Sequence, residues 1–530
     1  MLLVNRTLSI RISGKQKRER ISNLLFSLAQ FRNLLIIFNK IYQKTYNKWI
    51  LNESYLYSIL SDRPYTPRGK DKERKLNEFN EILQNIEKSQ ELKYFLKQLK
   101  QQKEKIKNNY ILQNLIKQLV KDYKSFFKSM EKYKKQLNKF KGKPKPPKAK
   151  KLKDIPSFTA ELNTNTFERI DKTHLLITLT FDKEKQYLKV KLPKDFNYEI
   201  KSVRLKFIAN DIYVDIIYNK EIEQVNREEK KHLAGIDIGL DNLLTILSTN
   251  EELQTLIING KEIKSINQWY NKEKGKLQSQ IDLLQNKISK LKEDNPSIEN
   301  LEKERRKLLN NRRELSGYRN RWITDIFHKI TRKIADFLME TGHKEVYIGK
   351  GATESKNEIN LGKRTNQNFV SIPFRKLINQ LKYKLEGYGI KVKEITEEFT
   401  SKTSPFASME EVIKRWKEYL KEKKEGDKRR EKEIKKELKE NYGGRRIKRG
   451  LFKCYITGKV FNADAVGSYN ILRKEAEPLI EREILIDKLS RPVRVKINQL
   501  LKATCEFLLG ITGRKTSWAY CKIAEVGNFL

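Results

Sequence analysis

The chain contains little cysteine. Its three cysteines, Cys454, Cys505 and Cys521, lie far apart in sequence and form no CxxC pair, so no disulfide framework is expected. Long apolar runs are also missing. The densest run, at residues 34–38, is much too short to span a bilayer, and no apolar signal region follows the first basic residues. These absences predict an intracellular, soluble protein without a membrane partner.

Acidic residues are scarce relative to basic ones. The 113 Lys and Arg residues outnumber the 67 Asp and Glu residues, which gives a formal net charge of +46. A field of this size attracts polyanions, so nucleic acid is the expected partner and an anionic membrane surface is the competing one. Hydrophobic residues make up 38% of the chain, enough for real cores, and a length of 530 residues suggests three or four domains.

The N-terminal half shows strand and helix patterns in turn. Residues 4–12 alternate with the period of a strand, whereas residues 15–50 and 72–137 carry apolar residues at helical spacing. The outer face of these helices is dense in lysine, which fits either contacts to RNA or DNA or a solvated surface. Four further stretches alternate as strands do: residues 174–181, 187–192, 201–207 and 211–218.

These patterns predict how the N-terminal half is organised. We predict a small β-barrel at residues 156–225, completed by a first strand in residues 1–14. A helical domain, residues 15–140, is inserted between these two parts. Residues 141–155 form a linker, because their prolines exclude helix and their lysines keep the segment extended and solvated.

From residue 233 onward, strand patterns alternate with helical ones. Apolar residues step by three and four on both sides of a break at residues 294–296, which predicts a helical hairpin of coiled-coil type at residues 263–320. The remaining patterns predict helices at residues 323–338 and 373–385, strands at residues 345–348 and 390–399, and one charged helix at residues 408–438. This order of elements indicates α/β architecture.

Two acidic residues stand in apolar strand patterns of this domain. Asp237 ends a short strand, where its burial is costly unless a partner such as a metal ion compensates; a cap on a hairpin turn is the alternative. In the strand predicted at residues 390–399, Glu397 shares a face with the apolar Ile395 and Phe399. Glu398 points to the opposite face.

A third acidic residue, Asp464, begins a helical pattern, where it either caps the helix or binds a metal. Three carboxylates at two strands and a helix start could hold two Mg²⁺ ions for phosphodiester hydrolysis. Spacing alone leaves this assignment open.

The same stretches resemble a known family. Residues 235–245 read GIDIGLDNLLT, which resembles the first RuvC motif of TnpB proteins, the RNA-guided nucleases of insertion sequences that are related to type V CRISPR effectors. Residues 445–474 resemble the C-terminal signature of this family, with Asp464 at its third acidic ligand, and residues 347–404 resemble one branch of it. The resemblance implies an α/β RuvC (RNase H-like) nuclease domain. It also implies an N-terminal β-barrel (wedge) domain with an inserted α-helical recognition domain.

The chain departs from the family at two places. Family members usually carry the second acid, a Glu, where this chain has Gly349 and Lys350. In the matching branch the Glu precedes a motif that resembles residues 399–402, so the resemblance makes Glu397 the second acid and Glu398 the reserve. The four-cysteine zinc ribbon of the family is also missing. Ser404 stands where a cysteine is expected and Cys454 is alone, so no zinc is predicted.

The resemblance extends the predicted domain organisation to the C-terminal half. Residues 232–400 form the first part of the RuvC domain, and residues 401–450 form a charged insertion in place of the zinc ribbon. Residues 451–475 contain the third RuvC motif, and residues 476–530 form a C-terminal extension of no recognised role.

The resemblance implies an RNA-guided DNA endonuclease in the prokaryotic cytosol, associated with the nucleoid. Asp237, Glu397 and Asp464 would hold two Mg²⁺ ions. The basic N-terminal half would hold a guide RNA, and pairing would select a double-stranded DNA target beside a short DNA motif. The candidate phosphate contacts are Lys350, Lys402, Arg446 and Arg449.

Two alternatives remain open. The first is a small type V CRISPR effector, which would use the same chemistry with a guide taken from a CRISPR array. The second is an RNA-guided DNA-binding repressor without cleavage, which Gly349 favours if Glu397 is not a metal ligand. A DNA-joining transposase fits less well, because the resemblance is to a guided nuclease.

Overall fold

A computed structural model describes residues 2–137, 140, 142–149, 157–162, 164–181, 184–208, 211–222, 231–291, 295–351, 372–397, 400, 403–425, 428–448, 450–476 and 480–513. The protein has mixed α/β structure and divides into two compact units, Leu3–Glu221 and Ile222–Leu530. Each unit buries apolar side chains in cores of its own.

Helices account for most of the first unit: α1 (Lys15–Tyr46), α2 (Glu53–Ser61), α3 (Lys72–Lys88), α4 (Gln90–Ile106) and α5 (Asn109–Lys135). The helical pattern predicted over residues 72–137 is therefore three helices. Ser89 and Asn108 begin two of them, because their side-chain oxygens accept hydrogen bonds from the backbone N–H groups of Leu92 and Ile111.

Helix α1 is more apolar than expected. Over Gln16–Tyr46 it is long and apolar enough to cross a membrane by length and composition alone, contrary to the prediction that no stretch is. Its apolar side chains lie in the core of the unit, where Leu28, Phe31 and Leu35 are fully buried. A core helix meets the same criterion, because the residues of its buried face raise its mean hydropathy.

Helix α5 separates apolar and basic residues onto opposite faces. Leu112, Ile116 and Leu119 are buried in the core of the unit. The exposed face carries lysines at helical spacing: Lys117, Lys121, Lys124, Lys128 and Lys132. The lysine-rich outer face predicted from the sequence is confirmed for this helix.

The strands of the first unit form two sheets among the described residues. They are β1 (Leu2–Arg11), β2 (Ser157–Leu162), β3 (Phe167–Asp171), β4 (His174–Phe181), β5 (Glu184–Lys191), β6 (Ile200–Ile208) and β7 (Asp211–Ile222). One sheet has the order β1-β7-β6-β2 and the other the order β3-β4-β5. The N-terminal strand thus joins the later strands across the inserted helices, as predicted, but the strands divide between two sheets where one barrel was expected.

The second unit contains the strands β8 (His232–Asp237), β9 (Asn242–Ser248), β10 (Leu256–Asn259), β11 (His343–Gly349), β12 (Lys391–Ile395), β13 (Gly444–Lys448), β14 (Leu451–Cys454), β15 (Val460–Asn462) and β16 (Val493–Lys496). Six of them form a sheet in the order β12-β11-β8-β9-β10-β16. Strands β8 and β9 are antiparallel, whereas β11 lies parallel to both β8 and β12. The carboxyl ends of β8, β11 and β12 therefore meet at one edge of the sheet.

The helices of the second unit are α6 (Lys261–Lys290), α7 (Ser297–Glu340), α8 (Phe374–Glu386), α9 (Met409–Glu425), α10 (Lys428–Asn441), α11 (Ala463–Arg473), α12 (Arg482–Ser490), α13 (Ile497–Lys502) and α14 (Cys505–Thr512). Helices α7 and α8 share one core with Ile236 and Val346 of the sheet. Helix α11 shares a second core with Leu247 and Tyr347. Because neighbouring residues of a strand point to opposite faces, these two cores lie on the two sides of the sheet.

The structure corrects the predicted helix boundaries in this unit. The helical hairpin is formed by α6 and α7, and α7 continues unbroken through residues 323–338, which were predicted as a separate helix. The single charged helix predicted at residues 408–438 is instead two helices, α9 and α10, packed through Tyr419, Ile434 and Leu438.

The C-terminal segment is part of the α/β core. Strand β16 pairs in parallel with β10, and Leu500 and Leu508 are fully buried in the core that also contains Ile236. Residues 480–513 therefore complete the sheet and its packing. Their sequence pattern is too mixed to show this, because pairing with β10 is a contact between distant parts of the chain.

Candidate active site

Asp237 is the last residue of β8, as predicted, and lies at the edge where the parallel strands end. Its side chain is half-buried, and loss of hydration raises the pKa of its carboxyl group well above the usual range. The carboxylates of Glu397 and Asp464 raise this pKa further, while the guanidinium of Arg446 lowers it. The structure thus brings the three predicted acids together.

Glu397 reaches the same edge from the turn after β12, since that strand ends at Ile395 and not at residue 399 as predicted. The backbone N–H of Gly351 donates a hydrogen bond of 2.9 Å to Glu397 Oε1. A Cβ atom built on Gly349 or Gly351 would lie 2.9 or 2.6 Å from Glu397 Cδ, closer than side chains approach. The carboxyl group of Glu397 therefore fills the space that a side chain at position 349 would need.

Asp464 lies in the first turn of α11 but does not cap this helix. The cap is Asn462, whose Oδ1 accepts from the backbone N–H groups of Asp464 and Ala465 at 3.1 and 3.0 Å. The alternative that Asp464 is a helix cap is therefore wrong. Its Oδ2 accepts a hydrogen bond of 2.6 Å from Asn242 Nδ2, and its Oδ1 lies 3.3 Å from Arg446 Nη2.

Two glycines let α11 approach β8 closely. A Cβ atom on Gly235 would collide with the backbone oxygen of Ser468, and one on Gly467 would lie 2.9 Å from Asp237 Oδ2. Glycine at these positions allows the close approach of two backbones. The first turn of α11, with Asp464, is thereby held beside the end of β8.

The three acids line one cleft with a volume of about 780 Å³. Basic side chains line it as well: Lys261, Lys264, Arg446 and Arg494. Lys264 Nζ lies 2.9 Å from Asp241 Oδ1, a fourth acid in the lining. Of these basic residues, the sequence singled out only Arg446. The other three come from helix α6 and strand β16, whose place at the cleft depends on tertiary packing.

The donor set of the cleft fits magnesium. Among the described residues, no group of three His, Cys, Asp or Glu side chains is already arranged around one ion. The three carboxylates repel one another, and Asn242 and Arg446 hold Asp464. Carboxylate oxygens are nevertheless the protein ligands that Mg²⁺ prefers. Loss of hydration first, and Glu397 and Asp464 second, raise the pKa of Asp237, and a cation among the three carboxylates would lower it.

The remaining predicted contacts have different outcomes. Lys350 lies at the same edge of the sheet, where its backbone N–H donates to the carbonyl oxygen of Ile395 at 3.0 Å. Arg446 contacts Asp464, as described above, and this ion pair was not foreseen. The reserve acid Glu398 and the candidate contacts Lys402 and Arg449 lie outside the described residues.

A short sheet in the order β13-β14-β15 lies in the region where related proteins have a zinc ribbon and this sequence lacks its cysteines. Cys454 ends β14 and is fully buried, and its Sγ lies 3.0 Å from the hydroxyl oxygen of Ser404, also fully buried. Ser404, at a position where the family has a metal-binding cysteine, is therefore in contact with Cys454.

Two family patterns match the chain. Residues 215–354 match the family described as OrfB_IS605, a probable transposase. Residues 374–471 match the family described as Cas12f1-like, TNB domain. The first match contains Asp237, and the second contains Glu397 and Asp464. No curated protein shows significant sequence similarity to the chain.

Solved structures resemble the chain only distantly. A Cas12f1–sgRNA–target DNA complex is 13% identical, with a TM-score of 0.42, and the match covers 90% of this chain and 100% of that one. A CRISPR–Cas12f ternary complex is 15% identical, with a TM-score of 0.29 and coverages of 87% and 83%. A Cas12i–crRNA–dsDNA complex is 11% identical, with a TM-score of 0.34 and coverages of 88% and 78%. Over these two matched regions, residues 215–354 and 374–471, the chain is similar to TnpB-like proteins.

Proposed function

We propose that the chain is an RNA-guided DNA endonuclease of TnpB type and that its second unit contains a RuvC (RNase H-like) domain. The observation that carries this proposal is the convergence of Asp237, Glu397 and Asp464 on one cleft at the carboxyl edge of a mixed sheet. The relocated second acid also supports it. Glu397 occupies the space above Gly349, where the family usually has its Glu.

In this proposal Asp237, Glu397 and Asp464 hold two Mg²⁺ ions. When bound, the ions would activate a water molecule and stabilise the leaving 3′ oxygen. The chain orients two of the acids through neutral donors: Gly351 N–H holds Glu397, and Asn242 holds Asp464. Basic residues of the cleft wall would contact the phosphates on either side of the scissile bond.

A guide RNA is the proposed partner of the first unit. The lysine face of α5, defined above, presents a row of cations at helical spacing, and the whole chain has a net charge of +46. Phosphate contacts of this kind release counterions, so binding should weaken steeply as salt rises. Pairing with the guide would select a double-stranded DNA target beside a short motif, in the prokaryotic cytosol.

A second candidate is a small type V CRISPR effector with the same chemistry. The match of residues 374–471 to the Cas12f1-like TNB domain favours it. The two candidates differ in the source of the guide, which is either an RNA from a transposon end or a transcript of a CRISPR array. The repressor without cleavage is less well supported, because Glu397 supplies the carboxylate that Gly349 lacks.

The proposal is tested by sequencing the RNA that co-purifies with the protein and by measuring cleavage of a matching plasmid library with Mg²⁺. Wild type should carry near-stoichiometric RNA and cut targets beside one short motif. Asp237→Ala should keep the RNA and bind the target but not cut it. The control is Asp195→Ala, an exposed acid of the first unit, which should cut normally. Cleavage by Asp237→Ala, or activity without RNA, would contradict the assignment.

A further inference from the structure

Two aromatic side chains lie exposed and in contact on the hairpin of α6 and α7. Trp269 on α6 is 42% exposed and Tyr318 on α7 is 48% exposed. Their ring centroids are 5.9 Å apart and the ring planes meet at 74°, an edge-to-face pair. Such a pair leaves ring faces open to solvent, and a flat group such as a nucleic-acid base can stack on them.

The aromatic pair lies next to the cleft that contains the three acids. Ser265 and Gln268 of α6 line that cleft. Trp269 directly follows Gln268 and is one helical turn beyond Ser265, so its side chain neighbours that of Ser265 on the helix surface. One turn of helix rises about 5.4 Å, and the pair therefore stands within about a turn of the cleft lining.

The surface around the pair carries more basic than acidic side chains. Lys261 and Lys272 are exposed on the same side of α6 as Ser265 and Gln268, and Lys261 also lines the cleft. Two acids lie nearby: Glu314 is one turn before Tyr318 on α7, and Glu273, one turn after Trp269 on α6, is paired with Lys276. Lys261 at the cleft and Lys272, one turn beyond Trp269, are complementary to a phosphate backbone.

The neighbouring ring of Tyr270 already binds cations. The guanidinium of Arg319 lies 5.5 Å and the ammonium of Lys274 lies 5.9 Å from its centroid. Cations thus already lie against one aromatic ring of this hairpin; Tyr270 directly follows Trp269 in sequence, and Arg319 directly follows Tyr318.

We propose that Trp269 and Tyr318 form a stacking platform for bases of single-stranded DNA that leads into the acidic cleft. Every base has a π-face, so aromatic stacking beside a basic groove binds single strands without regard to sequence. The proposal rests on the proposed function for its choice of DNA, because the platform adjoins the cleft in which DNA would be cut. A single strand is required, since the bases of a duplex are already stacked on one another.

The first test is photo-crosslinking. A single-stranded 20-mer of thymidine that contains 5-iodouracil is irradiated with full-length Asp237→Ala protein and its co-purified RNA, and crosslinked peptides are identified by mass spectrometry. Crosslinks to Trp269 or Tyr318 are expected. Crosslinks confined to other residues would overturn the proposal. The same irradiation is done with a uridine RNA 20-mer that contains 5-iodouracil. Stronger labelling of Trp269 and Tyr318 by this RNA than by the DNA would overturn the assignment to DNA.

Variants of the same protein give the second test. Trp269→Ala and Tyr318→Ala should each weaken binding of the DNA 20-mer about tenfold, within the range that loss of one stacked base brings. Trp269→Phe should restore most of the binding, because phenylalanine keeps a ring. The control is Leu283→Ala, which removes another exposed apolar side chain of α6 and should have no effect. Equal binding by all four variants would overturn the platform.

The two proposals fail in different ways. If the crosslinks form at the platform but wild-type protein cuts no DNA, the endonuclease assignment fails and the platform stands. If the double variant Trp269→Ala/Tyr318→Ala cuts DNA at the wild-type rate and no crosslink forms at positions 269 and 318, the platform fails and the endonuclease stands.

Discussion

The carboxyl group of Glu397 lies in the space that a side chain at position 349 would occupy. Gly349 pairs with Ile395 in the parallel register of β11 and β12, and Glu397 follows two residues later. Its carboxyl group folds back over the end of β11, where a Cβ atom on Gly349 would overlap Oε1 and lie 2.9 Å from Cδ. Gly349, which lacks the family's usual carboxylate at the end of β11, and Glu397, which follows β12, are thus two parts of one structural change.

The first prediction concerns Gly349→Ala. The added methyl group would meet the carboxylate of Glu397 and lie 2.7 Å from Cδ1 of Ile471. It should displace the carboxylate and reduce Mg²⁺-dependent cleavage about 10- to 100-fold, the loss typical when a group that supports a metal ligand is disturbed. The measurement is the cleavage rate with guide RNA and target. Gly275→Ala is the matched control, because nothing lies within 4 Å of a Cβ atom at that helical position. That control should be slightly more stable and fully active.

The double variant Gly349→Glu/Glu397→Gly sharpens this test, because it returns the carboxylate to the strand on which the family usually has it. We expect it to cut faster than Glu397→Gly alone. If the double variant is no better than the single one, and Gly349→Ala cuts at the wild-type rate, the two positions do not share one carboxylate site.

The second prediction is that Glu397, and not Glu398, is the second catalytic carboxylate. Glu397→Gln should abolish cleavage while leaving target binding intact, because the amide keeps the shape and loses the charge. Glu398→Gln should cut normally. Loss of cleavage in Glu398→Gln alone would show that the neighbouring residue serves the site, and wild-type cleavage by Glu397→Gln would refute the relocation.

The third prediction concerns Asp237→Asn in the presence of a chelator. Burial raises the pKa of Asp237, and Glu397 and Asp464 raise it further. An acid whose pKa is raised by folding stabilises the fold below its unfolded pKa, about 3.9, and this contribution is lost as pH rises through the folded pKa. The variant should therefore be more stable than wild type at pH 8, by about 1.4 kcal/mol for each pKa unit of the shift.

The measurement is the urea midpoint of both proteins between pH 4 and pH 8. Their difference should fall to about 0.5 kcal/mol at pH 4, where the carboxyl group is protonated in the folded state and about half protonated in the unfolded state. When Mg²⁺ replaces the chelator, it should stabilise wild type more than the variant. A difference that is constant with pH would show that the charge of Asp237 is not the cause.

The fourth prediction separates the two partners of Asp464. Asn242→Ala removes the 2.6 Å hydrogen bond to Oδ2 and should lower Mn²⁺ affinity about 10- to 100-fold. Arg446→Gln removes the cation 3.3 Å from Oδ1, which competes with a metal for this carboxylate, and should raise that affinity. Mn²⁺ binding is measured by electron paramagnetic resonance. Changes in the same direction for both variants would contradict these opposite roles.

The fifth prediction is that purified protein contains no bound zinc. Cys454 is buried against Ser404, with 3.0 Å between sulfur and oxygen, and a single thiol does not make a structural zinc site. Metal analysis of the purified protein is the measurement. About one zinc per chain would mean that other ligands complete a site, and Cys454→Ala should then lose the metal as well as some stability.

The sequence by itself determined the places of Asp237 and Asp464, because each is defined by a local pattern. An apolar run that ends in an acid predicts a strand end, and an apolar helical pattern that begins at an acid predicts a helix start. The helical hairpin and the lysine face of α5 follow from periodicity in the same way. These features depend on residues that are neighbours in sequence, so no long-range contact is needed to predict them.

Only the tertiary structure decided how the acids meet. Asn462, not Asp464, caps α11, because the choice between two polar side chains that are two residues apart depends on backbone geometry. The position of Glu397 depends on the pairing of β11 with β12 and on the N–H of Gly351, and β16 joins the sheet from nearly 240 residues beyond β10. Contacts between residues so far apart in sequence leave no local pattern, since they arise when the two segments pack in the folded chain.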